Sequence, residues 1–168
     1  LFELPEWELI RQDGDAFGSR ELEGDVYVAN FFFTSCPSIC PPLMQAMLAL
    51  QDRLEEEDVD VKLVSVSVDP ENDSPSVLQE YGRKLGADFS RWTFLTGEET
   101  KVRALVVEGF KTHLGEKELN ENNVIDIAHV GKIILVDRKG RVRGLYDTDD
   151  SGLDEAFHRS KQVSELED

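Results

Sequence analysis

Apolar residues in this chain fall into short blocks with two different periodicities, and the two kinds alternate. Residues 26–33 (VYVANFFF) form a nearly unbroken β-branched and aromatic run, the pattern of a central strand buried on both faces. Leu43, Met47, Leu50 and Leu54 then recur at helical spacing, predicting a helix over 42–57 that an acidic run ends. Residues 61–68 read as a second strand. Ser74 and Pro75 supply an N-cap and a first-turn proline, opening a helix that should stop near Gly86.

The second half continues the alternation. Residues 92–95 read as a short strand, and 96–99 lead into a helix ending near Gly109. Residues 111–126 are polar and irregular, which predicts a loop insertion. Two strands over 130–136 and 142–146 are joined by a turn at 137–141 that contains Gly140. A terminal helix follows from 153 and frays into an acidic tail. At the other end, a turn signal at 12–15 predicts a hairpin within 9–22. This order predicts a thioredoxin-like α/β fold: a central mixed sheet flanked by helices, with an N-terminal hairpin and the insertion near 111–126. A single domain over 1–168, with its core at about 4–160, is expected from the length.

Composition narrows the function classes. Apolar residues are 40 % and charged residues 32 % of the chain, an ordinary globular balance, and no apolar run approaches the roughly 18 residues of a membrane span. The chain opens at Leu1, so a leader or membrane anchor ahead of it is an expectation. The net charge of −17, from 18 basic against 35 acidic residues, argues against a nucleic-acid partner. An acidic surface can serve solubility or steer a basic partner or a cation, and charge alone does not choose. Nothing in the sequence signals an oligomer, and a monomer is the default expectation.

The chemistry concentrates where the first strand ends. Cys36 and Cys40, the only cysteines, are separated by three residues and flanked by Pro37, Pro41 and Pro42. Two cysteines do not make a disulfide framework in a domain of this size; a close pair reads as redox chemistry or soft-metal ligation. In a regular helix their Cβ atoms would lie about 5–6 Å apart, whereas a relaxed disulfide needs roughly 3.5–4.5 Å. The prolines push Cys36 and Cys40 toward extended backbone, so the pair is predicted on a loop capping the next helix. There the free N–H groups favour thiolate, the form both disulfide exchange and metal binding require.

Two thiolates plus one imidazole suit copper, whereas structural zinc wants four ligands. Of three histidines, His113 in the insertion and His158 in the terminal helix read as solvated positions. His129, immediately before the strand over 130–136, is either a ligand or a structural histidine. Met44 and Met47 fit the apolar helix face and read as core residues.

Three segments carry a family resemblance. Residues 33–41 (FTSCPSICP) resemble the F-T-x-C-P-x-x-C-P signature of the Sco/SenC proteins. Residues 67–75 (SVDPENDSP) resemble the segment after that family's second core strand, and His129 with 132–141 (KIILVDRKGR) is similar to its histidine, strand and turn. The resemblance runs from about Leu4 to Tyr146. It implies a thioredoxin-like copper chaperone, with Cys36, Cys40 and His129 as ligands to Cu(I) or Cu(II). It further implies a role in assembling the copper site of cytochrome c oxidase. The expected location is the periplasmic or envelope side of a membrane, anchored by an N-terminal segment, or else the mitochondrial intermembrane space. One departure stands out. Ala128 occupies the position before the histidine where relatives commonly carry an acid, with Asp126 two positions upstream of Ala128.

Two rival readings use the same residues. In one, Cys36 and Cys40 are the catalytic dithiol of a thiol–disulfide oxidoreductase or peroxiredoxin-like reductase. Against it stand the three-residue spacing and the lack of any proline after Pro75, where thioredoxin-type enzymes place one opposite the dithiol. In the other, the pair is the switch of a redox sensor or interaction module.

Overall fold

Seven consecutive residues of the first long strand are buried, and the sheet grows outward from it. The structure, a computed structural model, describes residues 2–34, 40–105 and 133–165. In chain order the described elements are β1 (Phe2–Glu3), β2 (Glu8–Arg11), β3 (Ala16–Gly18), β4 (Val26–Phe32), α1 (Cys40–Glu56) and β5 (Val61–Ser67). They continue with α2 (Pro75–Leu85), β6 (Trp92–Thr96), α3 (Glu99–Ala104), β7 (Ile133–Val136), β8 (Arg141–Tyr146) and a last helix, α4 (Asp150–Ser164). The strands form one mixed sheet in the order β1-β8-β7-β4-β5-β6-β2-β3. β4, β5 and β6 run parallel, while β7 and β8 are antiparallel on the other side of β4. The α/β class and mixed sheet read from the sequence are therefore present.

Packing against the sheet explains the periodicities. Leu43, Met44, Met47, Leu50 and Leu54 of α1 are all buried. Asn30 and Phe32, two apart and so on one face of β4, meet Met44 of α1 and Tyr81 of α2 respectively, so both helices cover that face. α1 is joined to the end of α2 by Gln51, which donates to the Gly86 carbonyl at 3.2 Å, and to α4 by the ion pair of Arg53 with Asp154. Between α2 and the sheet, Phe32 lies 5.4 Å from Tyr81 and 5.9 Å from Phe94, and Phe94 stacks on Trp92 at 5.0 Å, measured between ring centroids.

Local signals set the ends of the elements. Ser74 caps α2 by accepting the Val77 N–H, and Gly86 ends it at φ 100°, a left-handed conformation open to a residue without Cβ. The β2–β3 hairpin turns through Gly14, as the 12–15 signal predicts. In the β7–β8 turn, Asp137 accepts the N–H groups of Lys139 and Arg141 at 2.9 and 3.0 Å.

Beyond shifts of a single residue, two helix starts and one added strand differ from the sequence expectation. α1 begins at Cys40 rather than Pro42, so Cys40 is helical rather than extended. Pro41 and Pro42 fall in the first turn, where an N–H has no intrahelical acceptor to lose, and that outweighs the bias against a helical residue before proline. α4 starts at Asp150, ahead of Leu153, because Asp149 accepts the Gly152 N–H at 2.7 Å and caps it. β1, too short for a periodicity to show, pairs with β8 through Phe2–Val142 and Glu3–Arg141. The insertion near 111–126, the end of the helix expected to reach Gly109, and His113 lie outside the described residues.

Candidate metal centre

The cysteine loop leaves the sheet at the C-terminal end of β4. The last described residue before it is Thr34, and the chain is described again from Cys40, the first residue of α1. Of Cys40 only the backbone is described; Cys36 and His129 lie outside the described residues. The sheet nonetheless relates their two segments. β7 pairs antiparallel with β4 in the register Ala29–Ile134, so Ile133, which opens β7, is level with Asn30, two residues before β4 ends, and β7 enters the sheet from the end toward which β4 runs. His129 precedes Ile133 by four residues in the sequence. The strand that follows the histidine thus begins at the sheet end from which the cysteine loop departs. Because β5 is parallel to β4, its loop over 68–74 leaves at that end too.

Two buried polar networks cross the sheet, one through its middle and one at this end. In the first, Trp92 Nε1 donates to Ser65 Oγ at 2.9 Å and Ser65 donates to Asn30 Oδ1 at 2.5 Å. Asn30 Nδ2 in turn donates to the Sδ of Met44 at 3.3 Å. Trp92, Ser65 and Asn30 are fully buried, and Met44 nearly so, one turn beyond Cys40. Met44 and Met47 are core residues as expected, and Met44 is also a hydrogen-bond acceptor.

In the second network, Asp73 accepts the Thr34 N–H at 3.1 Å, the Thr34 hydroxyl, and the Ser67 hydroxyl at 2.6 Å. Ser67 Oγ also accepts the Asp69 N–H at 3.1 Å, and Asn72 Nδ2 donates to Asp69 Oδ2 at 2.9 Å. Apart from Met44, read as a core residue, none of the side chains in the two networks carries an assignment from the sequence. The available signal was a polar residue inside an apolar strand: Asn30 in β4, and Ser65 and Ser67 in β5. Such a residue must be satisfied by a buried partner.

Elsewhere, His158 is a half-exposed side chain 3.4 Å from Asp154, as the solvated reading expects. No group of three or more His, Cys, Asp or Glu among the described residues is arranged to hold a metal ion. Among the same residues, no helix is long and apolar enough to cross a membrane. At the sheet's far end, burial works against ionisation of Asp137, but the amides of Arg141 and Lys139 and the Arg141 guanidinium outweigh it. They hold the carboxyl below the usual carboxylate range. Burial raises the Tyr27 phenol well above its ordinary value.

Comparison with known proteins extends the pattern along the chain. The family model described as SCO1/SenC matches residues 3–164. The SCO1 protein homolog of Bacillus subtilis is 33 % identical over 167 residues, covering 98 % of this chain and 84 % of that one. Among solved structures, BsSco, described as a member of the Sco family of cytochrome c oxidase assembly proteins with a disulfide switch, superposes with a TM-score of 0.81 at 30 % identity. That match covers 99 % of this chain and 95 % of BsSco. Copper-bound ScoI of Arabidopsis thaliana shares the fold, with a TM-score of 0.70 at 21 % identity over 95 % of this chain and 96 % of its own. The match over residues 3–164 and the thioredoxin-like fold common to these structures establish that the chain belongs to the SCO1/SenC family.

Proposed function

We propose that this protein handles copper for a respiratory cytochrome c oxidase, binding one ion through Cys36, Cys40 and His129 and delivering it to, or preparing, the oxidase's copper site. The observation that carries the reading is topological. β4 runs out toward the C-x-x-x-C loop at the sheet end where β7, four residues after His129, begins. Two thiolates and an imidazole suit copper, whereas a structural zinc site wants a fourth ligand. The N-terminus of α1, opening at Cys40, favours the thiolate forms. Membership of a family whose member BsSco is described as an oxidase assembly protein directs the reading to that partner. We place the protein on the periplasmic or envelope side of a membrane, as a monomer.

Copper is here the cargo. The reduced pair binds it; the disulfide form, lacking thiolates, does not. A second reading, thiol–disulfide exchange on a partner, rests on the same helix terminus beside the pair. Titrating reduced protein with Cu(I) against a chromophoric chelator tests the choice. One equivalent retained per chain, with retention weakened sharply in His129→Ala, supports copper handling. Failure to retain copper, together with catalytic turnover of disulfide substrates, would transfer the assignment to exchange.

A further inference from the structure

Asp73 is a carboxylate with 1 % of its surface exposed. Among the described residues it has no ion-pair partner. A buried carboxylate without a cation depends entirely on hydrogen-bond donors for its solvation. It has three: the Thr34 N–H, the Thr34 hydroxyl and the Ser67 hydroxyl. Two of the three come from one residue, 39 positions earlier in the chain and the last described before the cysteine loop.

The carboxylate is itself held from behind. The N–H groups of Asn72 and Asp73 donate to the Asp69 carbonyl at 3.1 and 2.9 Å, closing the loop after β5 into a turn. Ser74, the next residue, caps α2. Ser67 is fully buried in β5, and the Val68 N–H donates to the Phe32 carbonyl at 2.8 Å, which carries the β4–β5 pairing beyond the strand ends. The acceptor is therefore fixed, and Thr34 cannot move away without stranding a buried charge. Packing the strand end would need only an apolar residue of similar shape. A charge fixes the position and direction of both the Thr34 amide and its hydroxyl.

We propose that Asp73 is a positioning residue for the Cys36–Cys40 pair. By gripping Thr34, two residues before Cys36, it sets the point and direction from which the cysteine loop departs, while α1 sets the other end at Cys40. The pair then starts from one geometry instead of many, which favours any state that needs both sulfurs together, whether a bound soft metal ion or a disulfide. The metal half of this proposal rests on the copper reading above; the disulfide half does not.

The test compares Thr34→Val, which removes the hydroxyl donor but keeps the shape, Thr34→Ser, which keeps the donor, and Asp73→Asn. Three quantities are read: urea stability of reduced metal-free protein, Cu(I) affinity by chelator competition, and the glutathione–disulfide equilibrium constant of the Cys36–Cys40 pair. Thr34→Val and Asp73→Asn should weaken Cu(I) binding about tenfold, the low end for groups that orient metal ligands, and make the disulfide easier to reduce. Thr34→Ser should stay near wild type in both. Unchanged affinity and an unchanged thiol equilibrium in folded variants, even with lowered stability, would overturn the proposal. If Asp73→Asn does not fold, Thr34→Val decides. If wild-type protein retains no Cu(I), the copper reading fails, and the thiol equilibrium alone judges the positioning role.

Discussion

Asn30, at the centre of β4, donates to the sulfur of Met44 in α1 at 3.3 Å while accepting the Ser65 hydroxyl at 2.5 Å. This links the middle of the sheet to the helix that begins at Cys40. Asn30→Leu keeps the branched outline of the side chain but strands the buried Ser65 donor, at a cost of about 1–3 kcal/mol. Urea unfolding of the reduced, metal-free protein measures it. A loss within experimental error would show that Ser65 finds another acceptor.

Gly86 should be intolerant of a side chain. Its φ of 100° ends α2, and its N–H donates to the carbonyls of Gly82 and Arg83. A Cβ there would meet nothing closer than Leu48 at 3.8 Å, so backbone conformation rather than crowding sets the cost. Gly86→Ala is expected to lose about 1–2 kcal/mol, with Gly86→Asn losing less because asparagine tolerates the left-handed region better. A thermal-shift series over the three residues tests that ranking.

Asp137 makes an acid-sensitive turn. Its carboxyl is held below the ordinary range in the folded protein, so its contribution is complete above the unfolded value of about 3.9. That contribution is lost as pH falls through the folded value. Asp137→Asn should cost about 1–3 kcal/mol at pH 7 by weakening the acceptor for Lys139, Arg141 and Arg143. The gap between variant and wild type should narrow below pH 4. A gap constant from pH 7 to pH 3 would rule out the charge as its source.

Much of the frame was legible because it obeys short-range rules. The apolar run of β4, the helical spacing of α1, the Ser74–Pro75 start and Gly86 stop of α2, and the hairpins all follow from local periodicity and turn chemistry. What was not legible depends on contacts distant in sequence. The pairing of β1 with β8 is decided by tertiary context, and the start of α1 at Cys40 by which of two opposed proline preferences prevails. The grip of Asp73 on Thr34 spans 39 residues, and no local pattern announces it. Nor did sequence separate Met44, which accepts a hydrogen bond, from Met47, since both fit one helix face. The proposed donors Cys36, Cys40 and His129 are legible only as residue types and spacing, and the sheet register adds that β4's exit and the start of β7 share one end.

X-ray absorption spectroscopy at the copper edge of reduced protein loaded with one equivalent of Cu(I) tests the central claim most directly. Two sulfur scatterers and one nitrogen scatterer per copper are expected at bonding distance, with the nitrogen lost in His129→Ala and both sulfurs lost in the Cys36→Ser, Cys40→Ser double variant. Copper bound only by nitrogen and oxygen, or a spectrum indifferent to these substitutions, would contradict a copper site built from Cys36, Cys40 and His129.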